Sequence, residues 1–133
     1  LIRYKGYLQA LRDNNIEPDM KLVRSMKDDI ETFTMDNGYV VMKELLESGE
    51  DFTAVFAISD SIAIGASKAI LNAGKSVPED YSVAGFDGLD RQPVDEIAKA
   101  AVTILFDVIK KKADHQMCVF PGELIIGQST KLI

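Results

Sequence analysis

The stretch Thr53–Asp87 reads TAVFAISDSIAIGASKAILNAGKSVPEDYSVAGFD, and its reading decides the fold. Ala54-Val55-Phe56-Ala57-Ile58 is an apolar run of strand length. Ser59-Asp60 follows, and Ser61 to Ala73 then reads as a helix. A Gly74-Lys75-Ser76 turn and Val77-Pro78-Glu79-Asp80 lead into a second apolar run, Tyr81 to Phe86, which ends on Asp87. Strand, helix and strand in this order form a crossover, so the two strands are expected to be parallel and adjacent. Each strand ends in a turn that carries a carboxylate. Ligands of open α/β sheets sit just outside the C-terminal ends of the strands. The unit is therefore read as half of a small-molecule site.

Outward from this unit, the elements alternate. Upstream, Arg3 to Asn15 reads as a helix with Tyr4, Tyr7, Leu8 and Leu11 on one face, closed by Asn14-Asn15 and Pro18. Lys21 to Met26 is a strand candidate. Lys27 to Met35 is polar and loop-like apart from Phe33. Asp36 is read as an N-cap, and the helix after it ends at Gly49. Downstream, Gly88 to Pro93 is a turn. Val94 to Lys112 is a long helix with Ile97, Ala98, Ala101, Ile104, Leu105, Val108 and Ile109 on one stripe, and Lys110-Lys111-Lys112 sits at its C-terminal end, where the dipole favours cations. Met117 to Phe120 and Leu124 to Ile126 are two short strand candidates. The order α-β-α-β-α-β-α-β predicts an α/β fold with a parallel sheet and helices on both faces.

Composition narrows the function classes. The 133 residues, 47% of them hydrophobic, suit one globular domain with a real core. No apolar run approaches the ~20 residues of a membrane helix, so no membrane partner is expected. The N-terminus has no apolar signal core and no initiator Met, and is read as the start of a fragment. A net charge of −6 repels a phosphate backbone, so this segment by itself is not expected to bind nucleic acid. The single cysteine, Cys118, forbids an intrachain disulfide and fits a reducing cytoplasm; its apolar surroundings predict a buried, inert thiol.

The residues of catalysis are absent as patterns. His115 is the only histidine and lies in a polar loop, as a surface group would. There is no phosphate-binding glycine loop, and Cys and His lack metal-ligand spacing. Asp28, Asp29 and Glu31 lack the register of a calcium loop. No catalytic group, metal or cofactor is expected. What remains is a polar set at the rim of the sheet: Arg3, Phe33, Ser59, Asp60 and Asp87. Carboxylates and a bidentate arginine suit a ring of hydroxyls, and a planar aromatic suits the C–H face of a sugar. Ser59 and Asp60 also read as a cap on the helix that follows, and Asp87 before Gly88 as an ordinary turn. Both readings stand at this point.

At these residues the sequence resembles the LacI/GalR family of bacterial sugar-responsive repressors. The likeness is carried by Phe56 to Ala66, Gly74, Val77-Pro78-Glu79-Asp80 and Ser82 to Asp87. Arg3-Tyr4-Lys5-Gly6-Tyr7, Gly38-Tyr39 with Met42 and Leu45-Leu46, and Leu124 to Thr130 extend it over nearly the whole chain. The resemblance implies a periplasmic-binding-protein-like core of two lobes, of which this chain is mainly one. Residues 1–90 and 117–133 would belong mainly to the C-terminal lobe, and 91–112 would be a helix that packs on the N-terminal lobe. It also implies a sugar or sugar-like effector between the lobes, a homodimer, and operator DNA bound only through an N-terminal headpiece that these residues do not contain. By family position Arg3 would grip effector hydroxyls, Phe33 would stack on the ring, and Ser59 and Asp87 would hydrogen-bond it. Ser59 departs from the Asn or Thr often found there, and Asp60 would mainly cap the helix. Hinge closure on the effector would respace the two headpieces of the dimer.

Two further expectations concern the chain as a whole. The family usually carries more than a dozen residues between the Phe-Asp pair and Gln-Pro, whereas here Asp90 runs straight into Arg91-Gln92-Pro93. Either the loop is deleted or it is missing from the sequence, and an intact mass above 14.6 kDa is expected. The helix from Ser61 to Ala73 is apolar over more than one face. It is either sandwiched within the lobe or a homodimer seam, and Ile62, Ile64 and Ile70 are expected at the seam. Two rival functions stand beside a cytoplasmic regulator. One is a periplasmic sugar-binding protein of a transporter, which would need an upstream export signal. The other is an α/β enzyme using Asp60 or Asp87, which would need a metal cluster or a nucleophile–base pair.

Overall fold

The computed structural model describes residues 2–88, 92–110 and 117–131. The Asp90–Arg91 junction, Lys111, Lys112 and His115 lie outside them. The elements are α1 (Ile2–Asp13), α2 (Met35–Glu47), β1 (Ala54–Phe56), α3 (Asp60–Asn72), β2 (Ser82–Ala84) and α4 (Val94–Ile109). The chain divides into two units. One is Leu1–Asp87 with Ile126–Ile133, and the other is Gly88–Ile125.

In the first unit β1 and β2 pair in parallel, Ala54 opposite Ser82, Val55 opposite Val83 and Phe56 opposite Ala84. The expected crossover is therefore present, with α3 between the strands. Successive side chains of a strand point to opposite faces of the sheet. Val55 and Val83 meet Met42 and Leu45 of α2 and Ala66, Ala69 and Ile70 of α3, which form the core. Phe56 points the other way and stacks on Tyr7 of α1, the ring centroids 6.1 Å apart. Helices α2 and α3 thus cover one face, and α1 meets the other at Phe56, where Ala54, Phe56 and Ala84 remain exposed. The strands are shorter than the apolar runs that encode them. The ladder ends where the Ala57 N–H donates to the Ala84 carbonyl at 2.8 Å, and the Ile58 carbonyl is taken by a side chain, that of Arg3.

The helices follow from local chemistry. The half-buried residues of α1 include Tyr4, Tyr7, Leu8 and Leu11, the predicted stripe. Its end is a left-handed cap: Asn15 sits at φ 56°, the Ile16 N–H donates to the Leu11 carbonyl at 2.9 Å and the Asn15 N–H to the Arg12 carbonyl at 3.0 Å. In α2 the N-cap is Thr34 rather than Asp36, since the Thr34 hydroxyl accepts the Asn37 N–H. Asp36 instead lies in the first turn, where a carboxylate complements the helix dipole. α2 and α3 cross backbone to backbone. A Cβ at Gly65 would lie 2.0 Å from the Met35 carbonyl oxygen, and one at Gly38 would lie 2.4 Å from that of Ile62. Only glycine allows that approach.

Several expectations are corrected. Lys21 to Met26 is not a strand, because its amides turn inward locally: Leu22 donates to the Asp19 carbonyl, Val23 to Met20, and Lys21 to the Asp19 carboxylate. Leu124 to Ile126 is not a strand either. The bond to the free edge of β2 comes later, where the Val83 N–H donates to the Ser129 carbonyl at 2.8 Å. Of the three seam residues, Ile62 and Ile70 point into the unit with exposures of 5% and 0%, while Ile64 is exposed at 53%. A residue already packed on α2 and the sheet has no surface left for another chain.

In the second unit α4 is a 16-residue helix with no buried residue. Its carboxylates Asp95 and Glu96 occupy the first turn, as the dipole favours. Met117 to Phe120 forms no strand, and Cys118 is exposed rather than buried. No helix among the described residues is long and apolar enough to cross a membrane.

Candidate functional site

The C-terminal ends of β1 and β2 meet at one side chain. Arg3, in the first turn of α1, donates through Nη1 to the Ile58 carbonyl just past β1. Through Nη2 it donates to Asp87 Oδ1 just past β2, at 2.8 Å. Its guanidinium carbon lies 4.2 Å from the centre of the Phe86 ring, within cation–π range. The pair is 37% exposed at Arg3 and 21% at Asp87, so it adds at most about 1 kcal/mol to stability. Its consequence is orientation. A guanidinium has five N–H donors in a rigid fork, and two contacts fix the plane in which the others face a ligand.

Asp87 itself is held at φ 119°, a left-handed region that disfavours side chains. That geometry turns the chain sharply after β2 and keeps the carboxylate beside Arg3. Ser59 resolves as the N-cap of α3, its hydroxyl oxygen accepting the Ile62 N–H at 3.3 Å. It is 5% exposed. Capping uses the oxygen as acceptor, and the hydroxyl hydrogen is still a donor. Asp60 opens α3, where its carboxylate complements the dipole. It also fills the space beside Gly85, since a Cβ there would lie 2.5 Å from Asp60 Oδ1. Gly85 is thus what lets the acidic start of α3 approach the end of β2.

Arg3, Ser59, Asp60 and Asp87 are therefore brought to the same strand ends. Phe33 is held differently. It lies in the loop before α2, 51% exposed and at φ 61°, and among the described residues no ring or cation contact joins it to the other four. Two residues escaped the sequence reading. Phe86 is the platform beneath Arg3; its place next to Asp87 at a strand end was the available signal. Asn37 is 0% exposed in the first turn of α2 and bonds the backbone of the Phe33 loop. Asn37-Gly38 resembles a turn dipeptide, which hid its role inside a helix. No cluster of three metal-ligating side chains occurs among the described residues.

The profile of the periplasmic binding protein-like domain matches residues 2–130. The chain is 33% identical to the HTH-type transcriptional regulator MalR of Clostridium butyricum, over 92% of this chain and 39% of MalR. It is also 33% identical to the HTH-type transcriptional repressor CytR of Escherichia coli K12, over 98% of this chain and 41% of CytR. That alignment runs over 144 positions, more than the 133 residues of this chain, so CytR carries residues that this chain lacks. Among solved structures, a LacI family regulator from Enterococcus faecium with bound ribose aligns at a TM-score of 0.70. It is 30% identical, over 85% of this chain and 44% of that one. The chain spans about two fifths of the length of these curated relatives.

Proposed function

The chain belongs to the periplasmic binding protein-like domain family, in the form carried by LacI-family regulators, and from that premise we propose that it is the effector-sensing part of a bacterial transcriptional regulator. The effector is a sugar or sugar-like polyol held at the ends of β1 and β2. Arg3 and Asp87 bind its hydroxyls, Ser59 donates one hydrogen bond, and Phe33 offers its ring as an apolar platform. Residues 1–90 with 117–133 form most of one lobe, and 91–112 belongs against the other. Closure on the effector changes how a separate headpiece meets its operator, because the open and closed states bind effector differently. The protein works in the cytoplasm, as a homodimer, without catalysis.

The observation that carries this reading is the Arg3 clasp. One guanidinium, aligned by Ile58, Asp87 and Phe86, sits where open α/β sheets bind ligands. The named relatives are transcriptional regulators, which favours sensing over transport or catalysis. A ligand that binds only the native state raises stability, by about 2.7 kcal/mol at a hundred times its Kd. Thermal-shift screening of the full-length protein against neutral sugars and phosphosugars is expected to find one that raises the melting temperature. Arg3→Ala and Asp87→Ala should each abolish that shift. If both variants kept it, the site assignment would be wrong.

A further inference from the structure

The Asn37 carboxamide is the one fully buried polar side chain of α2, and every bond it makes reaches out of the helix. Its Oδ1 accepts the Lys27 N–H at 2.9 Å. Its Nδ2 donates to the Lys27 carbonyl at 3.0 Å and to the Ile30 carbonyl at 3.3 Å. The three bonds fix which end of the amide is which, because the reverse orientation would set donor against donor and acceptor against acceptor. They satisfy both backbone groups of Lys27, as a neighbouring strand would. Thr34 joins the same stitch: its hydroxyl donates to the Glu31 carbonyl at 2.8 Å and accepts the Asn37 N–H at 3.3 Å. Between these anchors lies Phe33, at φ 61° and half exposed. A non-glycine residue holds that conformation only when its surroundings determine it.

We propose that Asn37 is a positioning residue of the effector site: its carboxamide fixes the 27–34 loop and thereby sets where Phe33 presents its ring. This rests on the reading that Phe33 faces the effector. Helix α2 is held in turn against α3 by the Gly38 and Gly65 contacts. The ring is thus referenced to the core through one amide.

The chain contains no tryptophan and four tyrosines, so Phe33→Trp creates a single indole at the position in question, excited selectively at wavelengths where tyrosine does not absorb. With Asn37 intact, the indole is expected to show high steady-state anisotropy, with the partial quenching by acrylamide that a half-exposed ring allows. Adding Asn37→Ala should lower the anisotropy and raise the quenching while far-UV helicity persists. Asn37→Asp keeps the acceptor for Lys27 but loses both donors, and should release the ring as well. Lys27 is also paired with Glu44, Nζ to Oε2 at 2.6 Å. Glu44→Gln is the control for that route, and should leave the anisotropy unchanged. Hydrogen exchange of the unsubstituted protein needs no variant to fold: the Lys27 amide, bonded to the buried Asn37 carboxamide, should exchange roughly tenfold or more slowly than a free coil amide. An unprotected Lys27 amide, an anisotropy indifferent to Asn37, or equal release by Glu44→Gln would each overturn the proposal. An effector-induced thermal shift that survives Phe33→Ala would instead overturn the placement of Phe33 at the effector, and would leave the anisotropy result standing.

Discussion

At the scale of single residues, the proposed binding role and stability separate at Asp87. Its φ of 119° is a conformation that glycine adopts freely and that costs other residues on the order of 1–3 kcal/mol. Its ion pair with Arg3, partly exposed, returns at most about 1 kcal/mol. Asp87→Gly relieves that strain but gives up the carboxylate's bonds and frees the unfolded backbone, so it is expected to move the melting temperature little while removing the effector-induced shift. Thermal melts with and without effector read both at once. A clear drop without effector would mean that the pair outweighs the strain. This separation also bounds what the sequence could reveal. Asp87 was legible as a polar residue at a strand end, because strand ends are where α/β sheets bind. Its φ was not, since it arises from the turn that the chain makes after β2, and the only signal for the Phe86 ring beneath Arg3 was its place next to Asp87. Ser59 stood equally as ligand donor and as cap, and the cap geometry emerged only with α3 in place.

At the scale of elements, the crossing of α2 on α3 is set by glycines. A Cβ at Gly65 would meet the Met35 carbonyl at 2.0 Å, a backbone atom that cannot swing aside. Gly65→Ala must push the helices apart and should cost about 1–3 kcal/mol or more. Gly6 in α1 has nothing within 4 Å of its would-be Cβ. There the same substitution should stabilise by roughly 0.5–1 kcal/mol through backbone entropy alone. Urea unfolding of the two variants compares them directly, and equal effects would show that the close crossing is not what Gly65 provides. The helices and the parallel strand pair were legible because each has a period or an order that local chemistry imposes. The strand expected over Lys21 to Met26 failed for a local reason too: turn bonds to Asp19 and Met20 consume its amides. An apolar pair such as Leu22-Val23 cannot report that competition. The N-cap slipped from Asp36 to Thr34, since both are good caps and only the loop before them selects one.

At the scale of the whole molecule, two exposed apolar surfaces are candidates for the seam of the homodimer proposed above. In the first unit, α3 exposes Ile64 at 53% and Leu71 at 58%, seven residues apart and so on one face of the helix. In the second, α4 exposes Val102 at 52%, Leu105 at 57%, Phe106 at 54% and Ile109 at 64%, and buries nothing. The α4 group is a larger apolar surface than singly scattered residues make. The α3 stripe is narrow and interrupted by Lys68, whereas α4 is broader, with Lys99 one turn before Val102 and the Lys110 Nζ 5.6 Å from the centre of the Phe106 ring. The two surfaces predict different behaviour. If α3 forms the dimer, Ile64→Asp should give monomers in sedimentation equilibrium with helicity retained, because Ile64 contributes nothing to the core that Ile62 and Ile70 already fill. Leu105→Asp should then leave the dimer intact and reduce only the binding of a hydrophobic dye, since an exposed apolar helix binds such dyes without specific association. If α4 drives association instead, the outcomes exchange: Leu105→Asp dissociates the protein and Ile64→Asp does not. A dimer that survives Ile64→Asp would remove α3 from the seam, and with it the last of the three isoleucines first expected there.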